Sequence, residues 1–320
     1  MKWEPAIYEH KAALIGKTPA EVARSDSLLT AAILEEYRIY QADYLTVGLD
    51  VYNLEPEALG ARITVPAPNA CPDVAGPIFA LDNLPDPLPR LRIPEAGRFQ
   101  LLLRAGQAVR QALGDQTRVR VAASGPVTIA AKLAGLDDLL ISLLLADGHA
   151  ERLLDFTTAL ADQWCACLRD HGLDVILFDS MAAPPMFSPD LYARCILPRH
   201  TRLMSRLADT GQAERELVIG GDTVPIAPWL RQTRANVLLC DYAADAPRFK
   251  AAFGDDREYT IRRNLNPAAL NTPHPPNDLT ATFRRDLQQF SHPLAGTGIL
   301  PYDFNPDHLL RFQARLADRS

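Results

Sequence analysis

Short apolar runs alternate with amphipathic stretches along most of this chain, and each apolar run ends in a small polar turn. Leu45–Leu49 leads to Asp50, Val119–Ala122 to Ser124-Gly125-Pro126, and Val175–Phe178 to Asp179-Ser180. Leu217–Ile219 leads to Gly220-Gly221-Asp222-Thr223, Val237–Cys240 to Asp241-Tyr242, and Tyr259–Ile261 to Arg262-Arg263-Asn264. A last turn, around Thr297, follows Leu294. These runs read as strands, and Val175–Phe178 is unbroken, as expected for a strand covered on both faces. The stretches between them read as helices. Phe99–Leu113 is apolar at helical spacing and ends on Gly114, a residue suited to a helix C-terminus. Ala150–His171 steps through Leu153, Phe156, Leu160, Trp164 and Cys167, and Gly172 stops it. Ser188-Pro189-Asp190 and Asn305-Pro306-Asp307 open two more helices.

This alternation predicts a single (β/α)8 TIM barrel over residues 1–320. Residues 1–40 read as a helical N-terminal extension: Thr18-Pro19-Ala20-Glu21 has the signature of a helix start, and an amphipathic run follows from about Ser27 to Gln41. Residues 65–97 are proline-rich and read as an excursion over the barrel surface, serving as a cover for a site or as a connector. In such folds the C-terminal ends of the strands share one face. The polar turns are therefore expected to converge on one site there.

Composition narrows the classes of partner. A chain of 320 residues that is 48% hydrophobic can bury a large core. Its formal net charge of -6 and lack of a basic stripe exclude nucleic acid as the expected partner. No apolar run is long enough to span a bilayer, and Met-Lys-Trp-Glu-Pro holds no apolar signal core, so the expectation is a cytoplasmic protein. Five cysteines without regular spacing do not make a disulfide framework, and Cys165 and Cys167 read as core. Histidines 10, 149, 171, 200, 274, 292 and 308 form no metal-type pair at helical spacing. Phosphate loops and the Gly-x-Ser-x-Gly elbow are absent.

The turns themselves carry the candidate chemistry. Asp50, followed by Tyr52 and Asn53, can accept hydrogen bonds from a ligand or form a turn on its own backbone. Gly125-Pro126-Val127-Thr128 can bring backbone close to a ligand or simply open a helix. Asp179, with Ser180, follows the most apolar strand, where a carboxylate suits acid or base work, though helix capping is the plain alternative. Asp222 has an obvious capping role. Strand alternation sends at most one of Arg262 and Arg263 to the barrel mouth, where it can clamp an anionic group; Arg263 is the one placed with the substrate-binding set.

Taken in order, these stretches resemble the uroporphyrinogen decarboxylase superfamily, which includes cobamide-dependent methyltransferases. The resemblance rests on Val47-Gly-Leu-Asp-Val-Tyr-Asn-Leu-Glu-Pro-Glu-Ala-Leu-Gly60, Gly125-Pro-Val-Thr-Ile-Ala130, Phe178-Asp-Ser-Met-Ala182 with Ser188, Pro189 and Pro198, Asp241-Tyr242 with Asp245, Asn264-Leu-Asn-Pro267 and Gly298-Ile-Leu-Pro301. It implies a (β/α)8 barrel with its site at the C-terminal mouth. Asp50 falls near the aspartate with which the decarboxylases hold pyrrole N–H groups. The arginine-rich N-terminal grip of those enzymes is missing, since Arg24 and Arg38 stand in ordinary helical contexts, and their last-strand histidine is Thr297 here. The thiol-specific methyltransferases bind zinc through His-x-Cys and a later Cys; the matching positions are Val218, Gly220 and Thr297, while the following Gly-Asp persists as Gly221-Asp222.

The resemblance thus implies a corrinoid-linked methyltransferase without tightly bound zinc. Asp50, Asp179, Asp222 and Asp241 would be its acid/base and orienting groups. Tyr52, Asn53, Gly125, Pro126, Thr128, Ser180, Gly220, Gly221, Tyr242, Arg263, Asn264 and Thr297 would bind a small-molecule substrate. The corrinoid (cobamide) would arrive on a separate carrier protein, because no corrinoid-binding Asp-x-His-x-x-Gly pattern is present. A homodimer is what the decarboxylase branch implies. Porphyrinogen decarboxylation and a non-catalytic tetrapyrrole- or partner-binding barrel are the alternatives.

Overall fold

The computed structural model describes residues 2–271 and 278–318. Its frame is one eight-stranded parallel sheet. The strands are β1 (Trp3–Ala6), β2 (Tyr44–Val47), β3 (Arg118–Ser124), β4 (Asp174–Phe178), β5 (Glu216–Val218), β6 (Val237–Cys240), β7 (Thr260–Leu265) and β8 (Pro293–Ile299). Each of β2 to β8 pairs with the next in sequence, and β8 pairs with β1. The ring closes between β1 and β2 through two bonds: Asp43 N–H donates to the Trp3 carbonyl at 3.0 Å, and Trp3 N–H donates to the Asp43 carboxylate at 2.7 Å. Helices cover the outside, and the α/β barrel expected from the alternation is the fold observed.

The N-terminus corrects one expectation. Residues 1–40 are not all helical, because Trp3–Ala6 is the strand that closes the barrel. Glu4 and Pro5 hid it: a charge and an imino acid do not read as strand. Pro5 has no N–H to give a ladder, and the pairing register with β8 slips between Glu4 and Ala6. Helices then follow over Glu9–Leu14, Pro19–Val22 and Asp26–Tyr40, the second opened by a reciprocal Thr18–Glu21 capping box. Phe99–Leu113 and His149–Asp170 are helices within a residue of where periodicity put them. The proline-rich stretch begins just after Ile63–Thr64, which pairs with Asp73–Val74 in a small antiparallel hairpin.

The barrel interior is layered, as in other barrels of this type. Near the strand starts Tyr44, Val237 and Leu294 pack together. Near the strand ends lie Ala122, Ile176, Phe178, Val218 and Leu239. Glu4, Arg120, Glu216 and Arg262 come from β1, β3, β5 and β7, and all four are buried. Each arginine is ion-paired with both glutamates: Arg120 reaches Glu4 at 2.5 Å and also Glu216, while Arg262 bonds Glu4 and lies 3.0 Å from Glu216. This closed ring of alternating charge forms the floor under the strand ends.

Candidate active site at the barrel mouth

Above that floor a cavity of about 200 Å³ opens at the C-terminal ends of the strands. Arg262 forms part of its base, and Tyr8, just beyond β1, stands on its wall. Of the residues expected to bind substrate, Tyr52, Ser180, Gly220, Tyr242 and Asn264 line it, together with Asp241. A second compartment of about 240 Å³ adjoins it, sharing Tyr8, Tyr52 and Ile299. Asp50 and Asn53 line this outer compartment, and Pro66, Cys71, Pro72 and Asp73 border it, so the start of the proline-rich stretch forms part of its wall. A larger open depression of about 670 Å³ lies at the other end of the barrel, rimmed by Trp3, Asp43 and Pro293. That face carries strand starts, where such barrels do not place chemistry.

Asp241 ends β6. It accepts N–H bonds from Gly221 and Tyr242, each at 2.9 Å, and from the Asn264 amide at 3.2 Å. Gly221 adopts φ +80°, which favours glycine and turns its N–H toward Asp241. Tyr52 and Ser180 share a hydrogen bond of 2.7 Å across the cavity wall. Burial pushes the Tyr52 phenol up to about 12, and burial also raises the Tyr8 phenol well above its ordinary value despite the Arg262 charge. Both therefore stay protonated near neutrality and can donate. Gly298 leaves room for the Tyr242 ring: a Cβ there would sit 2.5 Å from its Cε1.

The four aspartates do not share this cavity. Asp50 is in a bidentate pair with Arg98 at 2.9 and 2.6 Å. Asp179 is fully buried behind the wall. It accepts the Thr128 backbone N–H at 2.7 Å and hydroxyl at 2.8 Å, and faces His200 Nε2 at 2.8 Å, whose Nδ1 meets the Tyr192 hydroxyl at 3.0 Å. It clamps β4 to two helices, Pro126–Ala134 and Leu197–Asp209, and a Cβ on Gly125 would come within 2.3 Å of its Cγ. Gly125, Pro126 and Thr128 thus serve this clamp and line neither compartment. Asp222 is exposed and caps its own turn through the Val224 N–H. Arg263 points out of the barrel to Asp286 and to the carbonyls of Asp241 and Ala244; the inward arginine is Arg262, because Asn264 and Arg262 share one face of β7. Thr297 also faces outward, where its hydroxyl oxygen accepts the Ala6 N–H at 3.1 Å.

The donor set does not fit a thiolate-type zinc centre. Val218 and Gly220 line the cavity without a ligand atom, Thr297 faces away, and no cysteine or histidine lines the cavity. Among the described residues no three His, Cys, Asp or Glu side chains come together to hold a metal ion; His274 lies outside those residues. Neither compartment reaches the ~300–1,000 Å³ of sites that engulf drug-sized molecules. Each admits a small group, and a tetrapyrrole would meet the rim.

Tyr8, His200, Arg98 and the ionic floor were missed from sequence. Arg120 did carry a signal, since it is a charged residue inside the strand expected over Val119–Ala122; Glu4 and Glu216 did not. No helix among the described residues is long and apolar enough to cross a membrane.

The family model described as uroporphyrinogen decarboxylase (URO-D) matches residues 6–308. A methylated-thiol–coenzyme M methyltransferase of Methanosarcina mazei is 24% identical over 190 residues, 59% of this chain and 50% of that protein. A methylcobamide:CoM methyltransferase, MtaA, of Methanosarcina barkeri is 26% identical over 167 residues, 49% of this chain and 48% of its own. The matches to these curated relatives thus span about half the length of each. A solved methyltransferase structure from Methanosarcina mazei superposes with a TM-score of 0.81 at 19% identity, covering 98% of this chain and 93% of the other, which shows the shared fold. The family match runs from Ala6 at the end of β1 to His308, across the barrel and both compartments of its mouth, and the chain belongs to the uroporphyrinogen decarboxylase (URO-D) family.

Proposed function

We propose that this chain is a methyltransferase that works on a small molecule held in the barrel mouth, with a corrinoid presented at the rim by a separate carrier protein. The observation that carries this reading is the mouth itself: a small cavity with one carboxylate, Asp241, held by three neutral donors, and hydroxyls from Tyr8, Tyr52 and Ser180 around it. The methyltransferase relatives support the same class. The corrinoid would supply the cobalt centre that exchanges the methyl group. Asp241 would orient the substrate and hold or release a proton, while the Tyr8 and Tyr52 hydroxyls, protonated at neutral pH, would hydrogen-bond the substrate heteroatom that exchanges the methyl group with the corrinoid. Phe178, Val218 and Leu239 keep the floor dry, which strengthens those bonds. Asp50, Asp179 and Asp222 take structural roles in this scheme.

Decarboxylation of a porphyrinogen fits less well. It needs cations to receive several carboxylates, and the two that line the mouth, Arg262 and Lys132, are already paired with carboxylates of the chain. Incubation with methylcobalamin and a panel of thiol and amine acceptors tests the proposal. Turnover that falls at least ~100-fold in Asp241→Asn is expected, as for loss of a general acid or base. Products with fewer carboxyl groups from uroporphyrinogen would overturn it.

A further inference from the structure

We infer that the barrel mouth selects a substrate carrying a positively charged nitrogen, an ammonium or quaternary ammonium group. This rests on the mouth being the substrate site and names the class of molecule it takes. Four carboxylates line the two compartments: Glu9, Asp50 and Asp73 the outer, and Asp241 the inner. Two cations line them, Lys132 and Arg262. Lys132 lies 2.6 Å from Asp73, Arg262 belongs to the ionic floor, and Asp50 is neutralised from behind by Arg98. Glu9 and Asp241 remain. Among the described residues neither has a cation within ion-pair distance. Glu9 meets only the Cys71 thiol, at 3.6 Å, and burial keeps that thiol protonated. The Asp241 carboxylate meets only neutral donors; Arg263 reaches its backbone carbonyl alone.

Two amides buried beside these carboxylates add no positive charge to the lining. Asn264 in the inner compartment and Asn53 in the outer are 4% and 1% exposed. Asn264 gives its amide N–H to Asp241, and Asn53 gives its own to Asp50 and the Pro72 carbonyl. Those carboxylates fix which end of each amide is the oxygen. Both oxygens are left buried with no donor. Glu9 alone has an ordinary explanation, since it opens a helix and favours its positive end. That explanation does not extend to Asp241, which follows a strand. Tyr52 and Tyr242 also line the mouth, and aromatic rings attract cations; the Tyr8 ring already has Lys11 Nζ 6.0 Å from its centroid. The net uncompensated charge of this lining is negative: its orphaned donor, the Arg262 Nε–H, belongs to a guanidinium that Glu4 and Glu216 neutralise, and its phenols are neutral. An ammonium group satisfies it, whereas an anion entering the same dry cleft is repelled.

Calorimetric titration of the whole chain tests this with three probes of similar size: choline, its neutral carbon isostere dimethylbutanol, and mercaptoethanesulfonate as the anion. Choline is expected to bind about tenfold or more tightly than the isostere, with the anion weakest. Asp241→Asn and Glu9→Gln should each cut choline's advantage to about a third or less of its wild-type value. Glu9 is half-exposed, so Glu9→Gln stays informative even if the Asp241 variant misfolds. Dimethylbutanol or the anion binding as tightly as choline overturns the inference. So does the absence of choline binding at millimolar concentration. The titration contains no corrinoid, so the two readings fail separately. A chain that prefers choline but transfers no methyl group contradicts the proposed activity alone; one that transfers methyl groups but prefers the neutral or anionic probe contradicts the charge inference alone.

Discussion

Glu55 lies on the short helix Leu54–Ala58, fully buried, with neither carboxylate oxygen hydrogen-bonded. Ser124 nearby gives its proton to the Val51 carbonyl instead, at 2.7 Å. Burial pushes the Glu55 carboxyl up to about 8, and Glu36 up to about 7 despite Lys11 at 3.3 Å. An acid whose pKa rises on folding holds its proton more tightly in the folded chain. Its contribution to stability is full below the ordinary value of 4.5, declines as pH rises, and is gone above about 8 for Glu55. Glu55→Gln mimics the protonated form, so its melting temperature should match wild type at acid pH and exceed it at alkaline pH. Calorimetric scans on either side of that window check this, and a variant that is less stable at alkaline pH contradicts it. At the mouth, Gly298→Ala forces the Tyr242 ring to move, because the new Cβ would meet it at 2.5 Å. Misplacement on the ångström scale costs up to about 100-fold in rate. The same Cβ would lie 2.9 Å from Pro267 Cδ, so the expected result is a fall in kcat/KM with a small drop in melting temperature.

The strands and helices supply the frame, and two buried ionic devices hold it. The ring of Glu4, Arg120, Glu216 and Arg262 ties four alternate strands together at the level of the cavity floor. Removing one member strands a buried charge, which costs about 3–5 kcal/mol. Glu216→Gln should lose that much in urea unfolding, and the loss should be nearly independent of salt, since buried pairs are screened little. Asp179 is the second device. Asp179→Ala leaves the Thr128 donors and His200 without their partner, and should destabilise by about 3 kcal/mol or more. Turnover per folded molecule should stay near wild type; a loss of activity in a fully folded variant would make Asp179 catalytic. These devices explain what the sequence hid. Val175–Phe178 is legible because both faces of β4 are covered. Trp3–Ala6 is not, because Pro5 and Glu4 carry no local strand signal and the strand exists only by pairing with β8 at the other end of the chain. Arg262 and Arg263 are adjacent, and the sequence does not fix which faces inward, because that parity is set by the register with β6 and β8.

Across the whole molecule, the barrel brings some of the polar turns together and turns others away. Tyr52, Ser180, Gly220, Asp241, Tyr242 and Asn264 meet at one cavity, from loops after β2, β4, β5 and β6 and from β7 itself. Asp179, Asp222, Arg263 and Thr297 sit at equivalent places in the chain but spend their polar atoms on capping and on joining elements. Turn chemistry was therefore visible in the sequence, but not which turns open inward, because that depends on strand twist and on partners far away in the chain. The central claim is that the shared cavity holds the substrate of a methyl-transfer reaction. Its most direct test is single-turnover demethylation of methylcobalamin by the purified chain in the presence of small thiols and amines, comparing wild type with Asp241→Asn. The account predicts transfer by the wild type and its loss in a variant that melts within a few degrees of it. Equal transfer by both proteins, or none by the wild type alongside decarboxylation of uroporphyrinogen, would contradict it.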